Sequence, residues 1–319
     1  MESSSSLQFI FKQYGRRGAT LLPEGTLLMD RYIIKEMIGG GGYGQIYKAV
    51  DERKSLELAV KVEPKDRYPG RLIQERRILL MLTGTPHFPI VRASGIYKET
   101  HFFVMDLLGP SLSQLRKRHP NARFSPGTVL KIVLQVSNAL ESLHNLGFIH
   151  RDVKPSNLCI GAAGHLRRQI YLVDFGLARS LINKDGKLRT PRRQAPFRGT
   201  MKYASPNMHE RKEQGPSDDF ISLFYSTIEM SEGSLPWKKS RESSEILDEK
   251  RSFCFDHFVI HLPKRFKDYY SYLSTLGYED KVDYELLKTI VMKSMPSDVT
   301  DETPYEWEDA HHIRINEKR

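Results

Sequence analysis

The chain has 319 residues, 39% hydrophobic and 28% charged, enough to bury a substantial core in one large domain or two lobes. No apolar run approaches the ~20 residues that span a bilayer, the serine-rich start lacks the regions of a signal peptide, and two cysteines, Cys159 and Cys254, cannot build a zinc site or a disulfide framework. Membrane-spanning and disulfide-stapled classes are thereby excluded, an intracellular location (cytoplasmic and nuclear) is expected, and the formal net charge of +10 calls for an anionic partner.

Residues 1–30 read as an N-terminal extension, partly disordered. From Tyr32 the pattern is strand-like: Ile33, Ile34 and Ile38 lead into Gly39, Gly40, Gly41, Gly42, Tyr43 and Gly44, and residues 45–50 resume β-type chemistry. A turn made almost wholly of glycine lets backbone N–H groups approach phosphate oxygens, because no Cβ intervenes. Alone, the motif equally describes a flexible β-turn. Its strand–turn–strand setting argues against a dinucleotide site, which needs a helix after the glycines. Leu58, Ala59, Val60 and Lys61 form the next strand. A lysine there is costly unless its charge meets an anion; phosphate is one partner and Glu75, on a helix expected over 71–82, is the other. Residues 101–108 read as a buried strand ending at a hinge, Gly109-Pro110. An amphipathic helix over 129–146 stops at Gly147. Further helices are expected over 219–230 and 284–295, with no internal repeat.

Between these helices lie HRDVKPSN at 150–157, a strand over 170–173 and DFG at 174–176. Moving the γ-phosphoryl group of ATP needs a carboxylate to orient the attacking hydroxyl, a cation on the phosphate and oxygen ligands for a metal. Asp152, Lys154, Asn157 and Asp174 supply that set, with Asp152 taking or orienting the hydroxyl proton. Asn157 and Asp174 offer the oxygens Mg2+ prefers.

In their order the glycine loop, Lys61, Glu75, HRDVKPSN and DFG resemble a protein kinase. LLGPSL at 107–112 and SPN at 205–207 resemble the casein kinase 1 group. IGGGGYGQIYKA at 38–49, RGTMKYAS at 198–205, DDFISLFYS at 218–226, LPW at 235–237 and PYEWE at 304–308 are similar to its tau-tubulin kinase branch. The resemblance covers roughly 22 to 307. It implies an α+β, two-lobed fold: a β-rich N-lobe over 31–108, a helical C-lobe over 109–300 and a short tail over 301–319. The vertebrate members of that branch carry long tails, so substrate identity is not carried over. The resemblance places Ile38 and Ile46 above the adenine of ATP, Ala59 beside it and Cys159 below. Met105 is its gatekeeper, and Asp106 to Leu108 offer backbone hydrogen bonds. Lys61, fixed by Glu75, holds the α/β-phosphates. The expected function is serine/threonine phosphorylation of proteins. The alternative is a kinase-like scaffold, which usually has lost the lysine, the catalytic aspartate or the metal aspartate; all three are present.

Between Gly176 and Ser205 stand Arg179, Lys184, Lys187, Arg189, Arg192, Arg193, Arg198 and Lys202 against one acid, Asp185. Arginine pairs well with carboxylate and phosphate, so substrates acidic or already phosphorylated near the target are expected, with Arg198 and Lys202 as the anion site. A solvated loop is the bland alternative. Nucleic acid is not expected, since no recognition motif appears, and the chain is expected to be a monomer. Thr190-Pro191 is a candidate for modification, whereas Thr200 is expected to hydrogen-bond in the catalytic loop.

Overall fold

A computed structural model describes residues 18–41, 44–64 and 70–308, and the chain divides into two compact units between Leu108 and Gly109. In the first unit the β-branched and aromatic runs become strands β1 (Leu27–Leu28), β2 (Tyr32–Gly41), β3 (Gly44–Asp51), β4 (Leu56–Pro64), β5 (Val91–Tyr97) and β6 (Thr100–Asp106). They form one antiparallel sheet ordered β1-β2-β3-β4-β6-β5. Strand β3 alternates strictly, burying Gln45, Tyr47, Ala49 and Asp51, as a one-faced strand must. Helix α1 (Arg71–Met81) packs on β5 and β6 through Leu72, Ile78 and Leu79.

Part of the expected extension belongs to this unit. Leu22 and Leu28 are buried in the sheet's core, because buried polar groups on β3 need partners and this segment supplies them. Gln45 donates to Ala19 O at 2.9 Å and accepts from Leu21 N–H at 2.8 Å, while Tyr47 Oη accepts from Leu21 and Leu22 N–H at 3.0 and 3.2 Å.

The second unit has helices α2 (Leu112–Arg118), α3 (Pro126–Asn145), α4 (Pro206–His209), α5 (Pro216–Glu232), α6 (Ser243–Arg251), α7 (Phe255–Phe258), α8 (Lys267–Leu273) and α9 (Tyr284–Lys293). Its strands are β7 (Leu108–Ser111), β8 (Phe148–Ile149), β9 (Leu158–Gly161), β10 (Ile170–Leu172) and β11 (Arg179–Ser180). The expected hinge at Gly109-Pro110 is thus part of a strand, β7, which joins β9 and β10 in one sheet. β8 pairs with β11, Ile149 opposite Arg179.

Helices α3 and α5 pack together at the centre. α3 starts earlier than its apolar period suggests, with Pro126 in its first turn and Ser125 Oγ accepting the Thr128 N–H at 3.3 Å. Nearly every residue of α5 is buried, and Phe224 stacks on Tyr270 with centroids 4.7 Å apart. Residues 305–307 are anchored here too. Tyr305 stacks on Trp307 at 4.5 Å, Trp307 meets Phe124 edge-on at 5.5 Å, and Glu306 accepts the Ser125 N–H at 2.6 Å. Among the described residues no helix is long and apolar enough to cross a membrane.

Candidate active site

The expected residues fall into two groups, one in each unit. In the first, Lys61 lies on β4 opposite Ile46 and Phe103 in the register. Its Nζ reaches both carboxylate oxygens of Glu75, at 2.8 and 2.7 Å, and both side chains are largely buried. Helix α1 begins after Gly70 with no cap from that residue. Instead the buried Glu63 of β4 accepts the Leu72 N–H at 3.0 Å, fixing the helix start and so the height at which Glu75 meets Lys61. Burial raises the Glu63 carboxyl above its usual range, against the stabilising bond from Leu72.

Ala59 is buried and pairs in register with the buried Met105, while Ile38, Ile46 and Leu108 are half-buried. Asp106 uses its N–H on Ile90 O at 3.1 Å and its carboxylate on Ile90 N–H and Arg92 at 3.0 and 2.8 Å. Gly39, Gly40 and Gly41 end β2, and Gly41 pairs with Gly44. A Cβ on Gly44 would lie 2.2 Å from Val62 O, so only glycine fits. Gly42 and Tyr43 lie outside the described residues.

In the second unit Asp152 is the hub. Its Oδ1 accepts from Thr200 Oγ1 at 2.8 Å, and its Oδ2 accepts from Lys154 Nζ at 2.7 Å and Asn157 Nδ2 at 3.2 Å. Lys154 Nζ also donates to Thr200 Oγ1 at 2.9 Å, so Thr200 bonds within the catalytic loop as its sequence position suggests. Gly199 (φ +106°) lets this happen: a Cβ there would lie 2.4 Å from Arg151 O.

Asn157 Nδ2 further donates to Asp152 O at 2.9 Å, which leaves the amide oxygen as the ligand atom. The Val173 N–H donates to Asn157 O at 3.0 Å and β9 pairs with β10, so Asp174 follows directly from a residue hydrogen-bonded to Asn157. An amide oxygen and a carboxylate fit a hard divalent cation that takes its remaining ligands from phosphate and water. Cys159 is half-buried, and burial pushes its thiol up to about 12, so the sulfur is no nucleophile at neutral pH.

Two residues that sequence reasoning assigned no role hold this loop. Asp219, buried on α5, accepts the His150 and Arg151 N–H groups at 2.6 and 2.7 Å and contacts His144 at 3.0 Å. Burial opposes its ionisation, but His144 and the amide of His150 hold it below the usual carboxylate range. These bonds keep Arg151 at φ +66° and so aim Asp152. His150 in turn accepts from the Asp152 N–H at 3.2 Å through Nδ1, and its Nε2 lies 3.1 Å from Val173 O. One neutral tautomer satisfies both, tying the catalytic loop to the DFG strand.

The basic segment needs a correction. Lys202, expected to face a substrate anion, pairs with the buried Glu229 of α5, which also accepts from Tyr203 and, at 3.0 Å, from Arg116. A buried carboxylate requires such cations. Arg179 and Arg192 pair with Glu213. Lys184, Lys187, Arg193 and Arg198 remain exposed.

Behind the segment, Lys250 of α6 is buried and donates to Met201 O and Ala204 O at 2.8 and 2.6 Å, with His209 Nε2 at 3.1 Å. Burial, then the Lys250 charge, lowers His209 to about 4. An unfolded histidine binds its proton near pH 6.5, so the unfolded chain holds more protons between pH 6.5 and 4. The stability this gives is present above pH 6.5 and lost as pH falls toward 4. Denaturant titrations should show a His209→Gln variant losing on the order of 2–3 kcal/mol less over that range than the wild type; equal slopes would refute the assignment.

Residues 32–289 match the model of the protein kinase domain. A Dictyostelium discoideum chain named as a serine/threonine-protein kinase is 36% identical over 285 residues, spanning 89% of this chain and 58% of that relative's length. A Caenorhabditis elegans chain named as a casein kinase I is 37% identical over 303 residues, 92% of this chain and 87% of its own. A second C. elegans serine/threonine-protein kinase is 32% identical over 286 residues, 87% and 75%.

Proposed function

The chain belongs to the protein kinase family, in its serine/threonine class, and on that premise we propose that it transfers the γ-phosphate of ATP, with Mg2+, to proteins carrying acidic or phosphorylated residues near the target serine or threonine. The family uses ATP and a divalent metal, which carry the phosphoryl group and offset its charge. The observation that supports transfer is the Asp152 carboxylate, held by Thr200, Lys154 and Asn157. Those three bonds hold it in one orientation, from which it can accept the proton of an incoming hydroxyl. Lys154 places a cation beside the same point, and Lys61, pinned by Glu75, is oriented to hold phosphate oxygens. A scaffold that binds without catalysis is the second reading; nothing in these contacts favours it.

The substrate preference rests on Lys184, Lys187, Arg193 and Arg198, exposed and without a carboxylate partner among the described residues. The tau-tubulin kinase-like placement rests on the motifs at 38–49, 198–205 and 304–308, and a monomer without nucleic-acid partners, in cytoplasm and nucleus, completes the proposal. The test is transfer from labelled ATP to casein, acidic peptides, phospho-primed peptides and neutral peptides. Lys184→Glu/Lys187→Glu/Arg198→Glu should raise KM for acidic and primed peptides about three- to tenfold while neutral peptides change little, and added salt should narrow the difference. A reversed variant that keeps its full preference would make the segment a solvated loop. No transfer to any of these by the wild type would favour the scaffold.

A further inference from the structure

The catalytic loop is followed in space by a cluster of three guanidinium groups, all in the second unit. Arg151, next to Asp152, donates through Nε to Leu177 O at 2.7 Å. Arg179 and Arg192 lie near enough to depress it, after burial, to about 10. Such a cluster beside a catalytic loop would repel itself apart unless an anion sits among it. In kinases that need activation, a phosphate added to the segment is that anion, drawn in by arginine. Here a carboxylate fills the place. Glu213, on the loop between α4 and α5, is buried. It accepts from Arg192 Nε at 2.6 Å, Nη2 at 2.8 Å and the Arg192 N–H at 3.3 Å, and its Oε1 is 3.3 Å from Arg179 Nε. The Ala195 N–H donates to Arg211 O at 2.7 Å, so the same loop holds the segment by its backbone as well. Despite its burial, which opposes ionisation, the two arginines keep Glu213 below the usual carboxylate range. The arginines thus face inward to a built-in anion. Arg179 also sits on β11, paired with β8 just before His150, so its position is transmitted to the catalytic loop.

We propose that Glu213 is a positioning residue for phosphoryl transfer, an internal carboxylate that neutralises Arg179 and Arg192 and so keeps the catalytic loop aligned with no phosphate on the segment. This inference rests on the kinase activity proposed above. Glu213 touches neither nucleotide nor substrate; it acts through the arginines and β11.

The test compares wild type, Glu213→Gln and Glu213→Gln/Arg192→Gln, each phosphatase-treated, in steady-state kinetics and thermal unfolding, with and without about 20 mM inorganic phosphate. Glu213→Gln should lower kcat about ten- to hundredfold with KM for ATP moved less than about threefold, as a small misalignment does. Added phosphate should return much of that loss by entering the vacated place, and removal of Arg192, which relieves the uncompensated charge, should do so as well. Phosphate should raise the unfolding midpoint of Glu213→Gln by about 2 °C and leave the wild type unmoved. The inference is overturned by an unchanged kcat in Glu213→Gln, by a loss that neither phosphate nor the Arg192 substitution relieves (a misfolded variant included), or by a wild type that loses its activity on phosphatase treatment. Wild type inactive on every substrate before treatment would instead remove the kinase proposal, and the phosphate-dependent midpoint would still read out whether Glu213 holds the place of an anion.

Discussion

Replacing Asp152 with Asn is expected to lower kcat by about two to four orders of magnitude, the range that loss of a positioned general base produces, while ATP affinity changes less than about threefold. The substitution keeps the shape of the side chain. It removes the charge that draws Lys154 Nζ to 2.7 Å and Thr200 Oγ1 to 2.8 Å, and an amide cannot take the substrate's proton. If its NH2 turns toward Lys154, two donors face each other and the loop must shift. Single-turnover transfer and nucleotide titration measured on the same preparation separate the two effects. Equal transfer by variant and wild type would place the base elsewhere.

The second large effect is expected at Lys61. Lys61→Ala should reduce kcat/KM for ATP about a hundredfold, and Glu75→Gln about tenfold, since the amide keeps one acceptor for the ammonium. Stability should move as well. Glu75 is 3% exposed, and withdrawing the ammonium that meets both its oxygens should cost about 2–4 kcal/mol in urea unfolding. A Lys61→Met/Glu75→Leu pair should recover most of that stability and none of the activity. If Lys61→Ala proves as stable as the wild type, the carboxylate is held by other means and Lys61 matters only to the nucleotide.

What was legible in the sequence was local. The β-type residues over 45–50, the run at 58–61 and the stop at Gly147 each predict an element from neighbours within one strand or one turn, and the structure has them at those places. The residues Asp152, Lys154 and Asn157 share an eight-residue motif, so their meeting follows from one loop. Partners at long separation were not legible. Nothing in the composition of 176–205 tells that Lys202 faces Glu229 and Arg192 faces Glu213, 27 and 21 residues away; the sequence shows only an excess of charge, and the fold decides which cations are already matched. The roles of Glu63 and Asp219 were hidden for the same reason. Each carboxylate caps or anchors backbone amides of another element, and a buried acid without a sequence-adjacent base carries no signal of where its donors come from. The partial burial of 18–30 had a faint one: Leu21, Leu22, Leu27 and Leu28 are apolar pairs in an otherwise polar stretch.

The clasp formed by residues 305–307 bears on how the second unit is made. Glu306 accepts the Ser125 N–H across 181 residues, and Trp307 Nε1 donates to Arg167 O across 140. The head of α3, the central helix of the unit, therefore stays incompletely satisfied until nearly the whole described chain has left the ribosome. Closing a loop nine times longer than a ~20-residue one costs about 2 kcal/mol more in chain entropy, a cost met only when Tyr305 and Trp307 dock. Until then Phe124 and the flank of Lys131 are bare apolar surface on a nascent chain, the kind of surface that recruits chaperones and seeds aggregation. In this protein residues 305–307 complete the head of a helix whose capping residue, Ser125, lies 181 residues before Glu306.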